Sequence, residues 1–129
     1  MANLLAQLLV GSTLVYKRAD CMVEDTSSTS LPAASPTQLT VDGVVLNHGD
    51  RALYTNLSTG HNNTVYVATE TFTGGSASWF MQEATDGRQA SGNNPGGPTK
   101  YDVLMVDEGT NAGKLLCWSG TAWTDMSTL

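Results

Sequence analysis

The sequence predicts an all-β fold: a small antiparallel β-sandwich or barrel with a short N-terminal apolar segment and an extended arm. Three observations carry that reading. From Gln38 onward, short apolar or alternating runs recur at close intervals, each bounded by a glycine-bearing turn. Asp42-Gly43, between Val41 and Val44, suits a tight hairpin because both central positions of such a turn tolerate positive φ. Charged residues make up only 14% of the chain, 40% is hydrophobic and glycine occurs 13 times, a balance that fits a compact β-protein and not a disordered chain.

The elements follow in chain order. Leu4, Leu5, Leu8 and Leu9 recur at a spacing that places them on one face of a short helix. So short a helix needs something to pack on, either the chain's own β-core or a neighbouring subunit. The four leucines are therefore candidate assembly contacts, and deleting residues 1 to 11 is expected to leave a folded core that assembles poorly. Gly11 breaks the segment, and Ser12 to Arg18 alternates like a strand, with Leu14 and Tyr16 on one face. Thr26 to Thr37 offers little to bury, and Pro32 and Pro36 stiffen it. It reads equally as an arm across a subunit boundary or as a surface loop. These pieces form an N-terminal region, residues 1–37, ahead of a β-module, residues 38–129.

Within the module, strands are expected at Gln38 to Val41, Val44 to Leu46, Arg51 to Thr55, Thr64 to Thr69, Ala77 to Glu83, Tyr101 to Val106, Lys114 to Trp118 and Ala122 to Asp125. With no helical pattern between them, an antiparallel sandwich or small barrel follows. Ala90 to Thr99 should be a long exposed loop, which makes Asn93, Asn94 and Pro95 candidate surface-binding residues. The 129 residues suffice for one domain with a modest core.

Composition also excludes partners. A net charge of −6, with Lys17-Arg18 the only adjacent basic pair, argues against nucleic acid, whose phosphates need clustered Lys and Arg. Met1 to Val10 is too short to span a bilayer and lacks the basic start of a signal peptide, so neither a membrane role nor a leader is expected. Cys21 and Cys117 fit no metal spacing and read as buried free thiols; a disulfide would need oxidising surroundings and matching geometry. Asn56-Leu57-Ser58 and Asn62-Asn63-Thr64 match the glycosylation pattern by coincidence in a chain rich in Ser and Thr.

Catalysis is not expected, nor a cofactor or metal. His48 and His61, the two histidines, fall in predicted turns. There is no Gly-x-Ser-x-Gly elbow. Asp107-Glu108 with Gly109-Thr110-Asn111 does not follow the twelve-residue calcium loop and reads as a solvated turn. Paired carboxylates for glycoside cleavage would require a longer substrate groove than this chain can build. Trp79, Trp118 and Trp123 are weighed as sugar platforms, but Trp118-Ser119-Gly120-Thr121-Ala122-Trp123 reads as a hairpin with its tryptophans packed together. Asp50-Arg51 should make local turn hydrogen bonds or an ion pair that fixes the start of a strand.

The stretch from Val41 to Tyr54 resembles a "DGV-L--GDRVL" run that recurs, followed by "NG-YVV" and "W-R--D", in structural proteins of tailed bacteriophages, especially tail-fibre and appendage proteins. Asp42, Gly43, Val44 and Leu46 match its first part, and Gly49, Asp50, Arg51 and Leu53 its second. Asn63, Tyr66 and Val67 fit the next segment, with Thr64 in place of Gly. Trp79 and Asp86 fit the last, with Met81 where Arg is common. The similarity spans about Thr37 to Asp86 and continues more loosely from Tyr101 to Trp123.

The resemblance implies a noncatalytic virion protein, a homo-oligomer with three copies as the expected number, assembled in the host cytoplasm. A freestanding module with an apolar segment and an arm points to a head decoration (cement) protein bound to the major capsid protein. The alternative is a tail fibre or appendage bound to tail proteins, with a receptor- or carbohydrate-binding role.

Overall fold

Two glycine turns organise the strands. In the computed structural model, which describes residues 20–92 and 95–126, Asp42 and Gly43 take φ of 47° and 77°. Both are positive, as a two-residue hairpin turn requires. That turn joins β2 (Thr40–Val41) to β3 (Val44–Val45) in antiparallel register, Val41 opposite Val44. Gly74 and Gly75, at 58° and 82°, do the same between β5 (Thr64–Thr73) and β6 (Ser76–Glu83). The tight turn fixes Thr73 opposite Ser76, and the ladder runs unbroken to Tyr66 opposite Glu83. β5 was expected to stop at Thr69, where buried positions end. It continues four residues further because the turn, not burial, sets the register.

The described residues form an all-β structure. Besides those four strands they contain β1 (Val23–Asp25), β4 (Arg51–Tyr54), β7 (Val103–Met105), β8 (Leu115–Trp118) and β9 (Trp123–Asp125). A central sheet has the order β1-β4-β5-β6, and a second sheet the order β7-β8-β9. All pairings between strands are antiparallel except β1 with β4. β1 was not predicted. It is three residues long and buried throughout, Glu24 and Asp25 included, so it shows no alternation to read. Just before it, a parallel bridge between Cys21 and Val106 links the central sheet to the second one.

The central sheet is covered on both faces, and alternation sorts its side chains between two cores. Ala52, Tyr54, Tyr66, Ala68, Trp79 and Met81 face one cluster with Leu39, Val41 and Leu46 from the β2–β3 region. Leu53, Val65 and Ala84 face the other, with Leu104, Val106, Leu116, Trp118 and Trp123. Tyr54 and Tyr66 meet edge to face at 5.7 Å, and Trp118 and Trp123 at 5.3 Å. Each such aromatic pair adds about 0.5–1.5 kcal/mol beyond area burial. Backbone contacts help to seat the turn after β6. Val65 N–H donates to the Gly87 carbonyl, and a Cβ at Gly87 would lie 2.2 Å from the Val65 carbonyl oxygen.

Residues 26–37 run along the chain's own module. Leu31 packs on the first cluster, Ser35 exchanges two backbone hydrogen bonds with Trp79, and Thr29 O accepts from Ser58 N–H. Val23, ahead of the expected boundary at residue 37, and Leu39, beyond it, share one core cluster.

Candidate functional site

The residues on which the expected resemblance rests are structural ties. Asp42, in its turn, accepts from Thr110 N–H at 2.8 Å and from the Thr110 hydroxyl at 3.0 Å. Gly109 has φ 85°, and a Cβ there would sit 2.7 Å from Asp42 Oδ2, so only glycine lets the 107–113 turn close onto the hairpin. Asp50 caps its own turn by accepting from Asn47 N–H, and Gly49 N–H donates to the Ala68 carbonyl. Arg51 pairs with Asp86 and not with its neighbour. Nη1 and Nη2 donate to the two carboxylate oxygens at 2.9 and 3.1 Å, joining the start of β4 to the turn after β6.

Other candidates are likewise placed by packing. Trp79, Trp118 and Trp123 are buried, which removes them as exposed sugar platforms. Both cysteines are free and buried, and burial pushes the Cys21 thiol up to about 12, holding it as an inert thiol. His48 Nδ1 accepts from the Glu70 N–H. His61 Nδ1 lies 2.6 Å from Glu83 Oε2, and its Nε2 lies 3.0 Å from Arg88 Nη1, so a turn histidine is tied into an exposed ionic cluster. The Asn62 side chain is committed to its own loop, donating to Thr55 O and accepting from Leu57 N–H. Among the described residues no group of three acidic, His or Cys side chains could hold a metal. Leu4, Leu5, Leu8, Leu9, Asn93 and Asn94 lie outside the described residues; Pro95 is exposed.

What remains is the β5–β6 hairpin, which projects past its cover. β4 pairs with β5 only from Thr64 to Val67, and the contacts of Asp50 and His48 carry that edge no further than Glu70. Beyond Glu70 both strands continue together to the Gly74-Gly75 turn. Phe72, opposite Ala77, stands on the same face as the core residues Ala68 and Trp79 but is 68% exposed. The core face thus extends into solvent and ends on an aromatic ring. The outer edge of β6 is guarded midway, where Ser35 occupies the Trp79 backbone and Pro36 follows it.

The opposite face of the hairpin is different in kind. Val67, Thr69, Gln82, Ala84, Thr85 and Asp86, with Arg51 and Glu83, line a shallow cavity of about 300 Å³. Phe80, directly across from Thr69, is half-buried on that same face. Sequence reasoning missed both features. Phe72 fell outside the strand expected to end at Thr69, and Phe80 was visible only as an aromatic residue in the strand Ala77 to Glu83; the exposure of Phe72 depends on where the covering β2–β3 region stops.

Searches of protein-family models, curated proteins and solved structures find no match to this chain.

Proposed function

We propose that this chain is a noncatalytic structural protein of a tailed-phage virion, a head decoration protein that binds the capsid surface as a homo-oligomer, with three copies the expected number. The observation that carries the reading is the projecting hairpin, whose core face ends on exposed Phe72. An aromatic ring held out on a short rigid ribbon gives large contact area at small cost in conformational entropy, which suits docking into an apolar recess of another protein. The resemblance read in the sequence supports the same class, since its residues Asp42, Arg51 and Asp86 brace the module that carries the ribbon. The net charge of −6 favours protein partners over packaged DNA.

The same resemblance also favours a second location, a tail fibre or appendage. Cryo-electron microscopy of intact virions separates the two. Copies repeating with the capsid lattice, with the β5–β6 hairpin at the contact, are the expected result. A few copies at the tail would replace decoration with the fibre reading, and absence from purified virions would end both.

A further inference from the structure

The chain enters the central sheet beside an open edge of β5. β1 runs parallel to β4, so its start and Arg51 lie at the same end of the sheet. Arg51 stands opposite Val67, and from there β5 runs on toward the hairpin tip. The residues that precede Asp20 therefore leave the sheet at the end where the hairpin projects. Along β5, the main-chain groups of Ala68 and the N–H of Glu70 face the β4 edge, where Asp50, Gly49 and His48 bond to them. Two residues farther on, alternation turns the Phe72 N–H and carbonyl to the same edge, and no described residue there pairs with them.

We infer that residues 14–18 of this same chain pair with that edge as a further strand and cover Phe72. The reach is sufficient. Met22 is level with Arg51, and Phe72 lies five positions past Val67. The place opposite Phe72 is thus about 17 Å along the sheet from Met22 and one strand, about 5 Å, across. Six extended residues span that distance, which brings Tyr16 opposite Phe72. The segment then runs antiparallel to β5, as β4 does. Directly opposed side chains share a face, so Tyr16 lies against the exposed ring, a favoured cross-strand pair. The same register brings Arg18 beside the Glu70 carboxylate, so an opposite-charge contact favours it over a slip in either direction. Phe72 is thereby shielded in the free protein and released when a partner takes the hairpin, a consequence that rests on the function proposed above.

NMR of the full-length, isotope-labelled protein tests the pairing. Nuclear Overhauser contacts between Tyr16 and Phe72 are expected, with slow hydrogen exchange at the Phe72 amide. In a mixture of labelled and unlabelled protein, those contacts should stay within one chain. Tyr16→Asp, which puts a carboxylate near Glu70, should speed exchange at Phe72 by about tenfold or more and leave Val65 and Val67 unchanged. The same variant should bind particles lacking the protein several-fold more tightly, because no shield has to leave. Absence of the contacts, a freely exchanging Phe72 amide, or an exchange rate unmoved by Tyr16→Asp would each overturn the pairing. Contacts between chains would overturn it in favour of strand exchange between copies. Intrachain contacts with particle binding unchanged in Tyr16→Asp would overturn the shield. If neither form binds particles, the decoration reading fails, while the contacts and exchange rates still decide the pairing.

Discussion

The two ends of the β5–β6 hairpin share one unbroken ladder and differ in everything else. At the root, Thr64, Val65, Tyr66 and Ala68 are buried, with β4 alongside and a core on each face. At the tip, Thr71, Phe72 and Thr73 are exposed, and the strands are held by each other and by the Gly74-Gly75 turn. Stability therefore resides at the root, where side chains are removed from water, and the tip is free to be specified by what it binds. Substitutions at the two ends should separate these roles.

The largest effect is expected beneath the root. Trp118 is 2% exposed and packs edge to face on Trp123 in the cluster that contains Leu53 and Val65. Trp118→Ala should cost about 3–5 kcal/mol, from lost burial and the cavity left behind. Urea unfolding measures it; a loss under ~1 kcal/mol would mean that the second sheet is not integral to the core. Next comes the tie between β4 and the turn after β6. Asp86→Ala strands the largely buried Arg51 guanidinium, and a cost of about 1–3 kcal/mol is expected. The double variant Arg51→Met/Asp86→Ala should recover part of that loss, because no charge is then left without its partner. If the double variant is no more stable than Asp86→Ala, the pair is not coupled as its geometry implies.

A smaller effect, visible through pH, comes from β1. Burial raises the Glu24 pKa above the ordinary range, outweighing the hydrogen bond from Asn111 that lowers it. A group raised in the folded state contributes stability that is fully present below its unfolded pKa and lost as pH rises through the folded value. Neighbouring Asp25 runs the other way. Burial pushes it up, but Ser28 through N–H and hydroxyl, and Ser27 through N–H, bring it below the usual carboxylate range. Its contribution is present above the ordinary Asp range and is lost as pH falls through the lowered value. Glu24→Gln should therefore raise the thermal midpoint at neutral pH, and the gain should shrink as the medium is acidified toward the point where Glu24 is itself protonated. A gain that is the same at every pH would show that the carboxylate charge is not the cause.

Much of this architecture was legible in the sequence, and the rest was hidden for identifiable reasons. Asp42-Gly43 placed the first hairpin because the turn has a local chemical requirement. Trp118 and Trp123 were expected together because only six residues, with a glycine between, span them. β1 was hidden because a three-residue strand buried on both sides has no period. The ion pair of Arg51 with Asp86 was hidden because its partners are 35 positions apart, even though both lie within the motif. The candidate surface was the least legible part. Whether Phe72 is core or interface depends on how far β4 and the β2–β3 region reach, and no local pattern encodes that distance.

The smallest effect on stability is the one that bears most on function. Phe72→Ser removes an exposed ring from the end of the ladder, where it stands opposite Ala77. Unfolding free energy should change by no more than about 0.5 kcal/mol, as at other surface positions away from a core. If the ring docks on a partner, though, its truncation should remove a central contact, and binding to particles lacking the protein should weaken by about tenfold or more. Measuring both quantities on one variant decides between the roles. Lost stability with retained binding would return Phe72 to the core, extending the root of the hairpin to its end. Retained stability with lost binding would make the tip the interface.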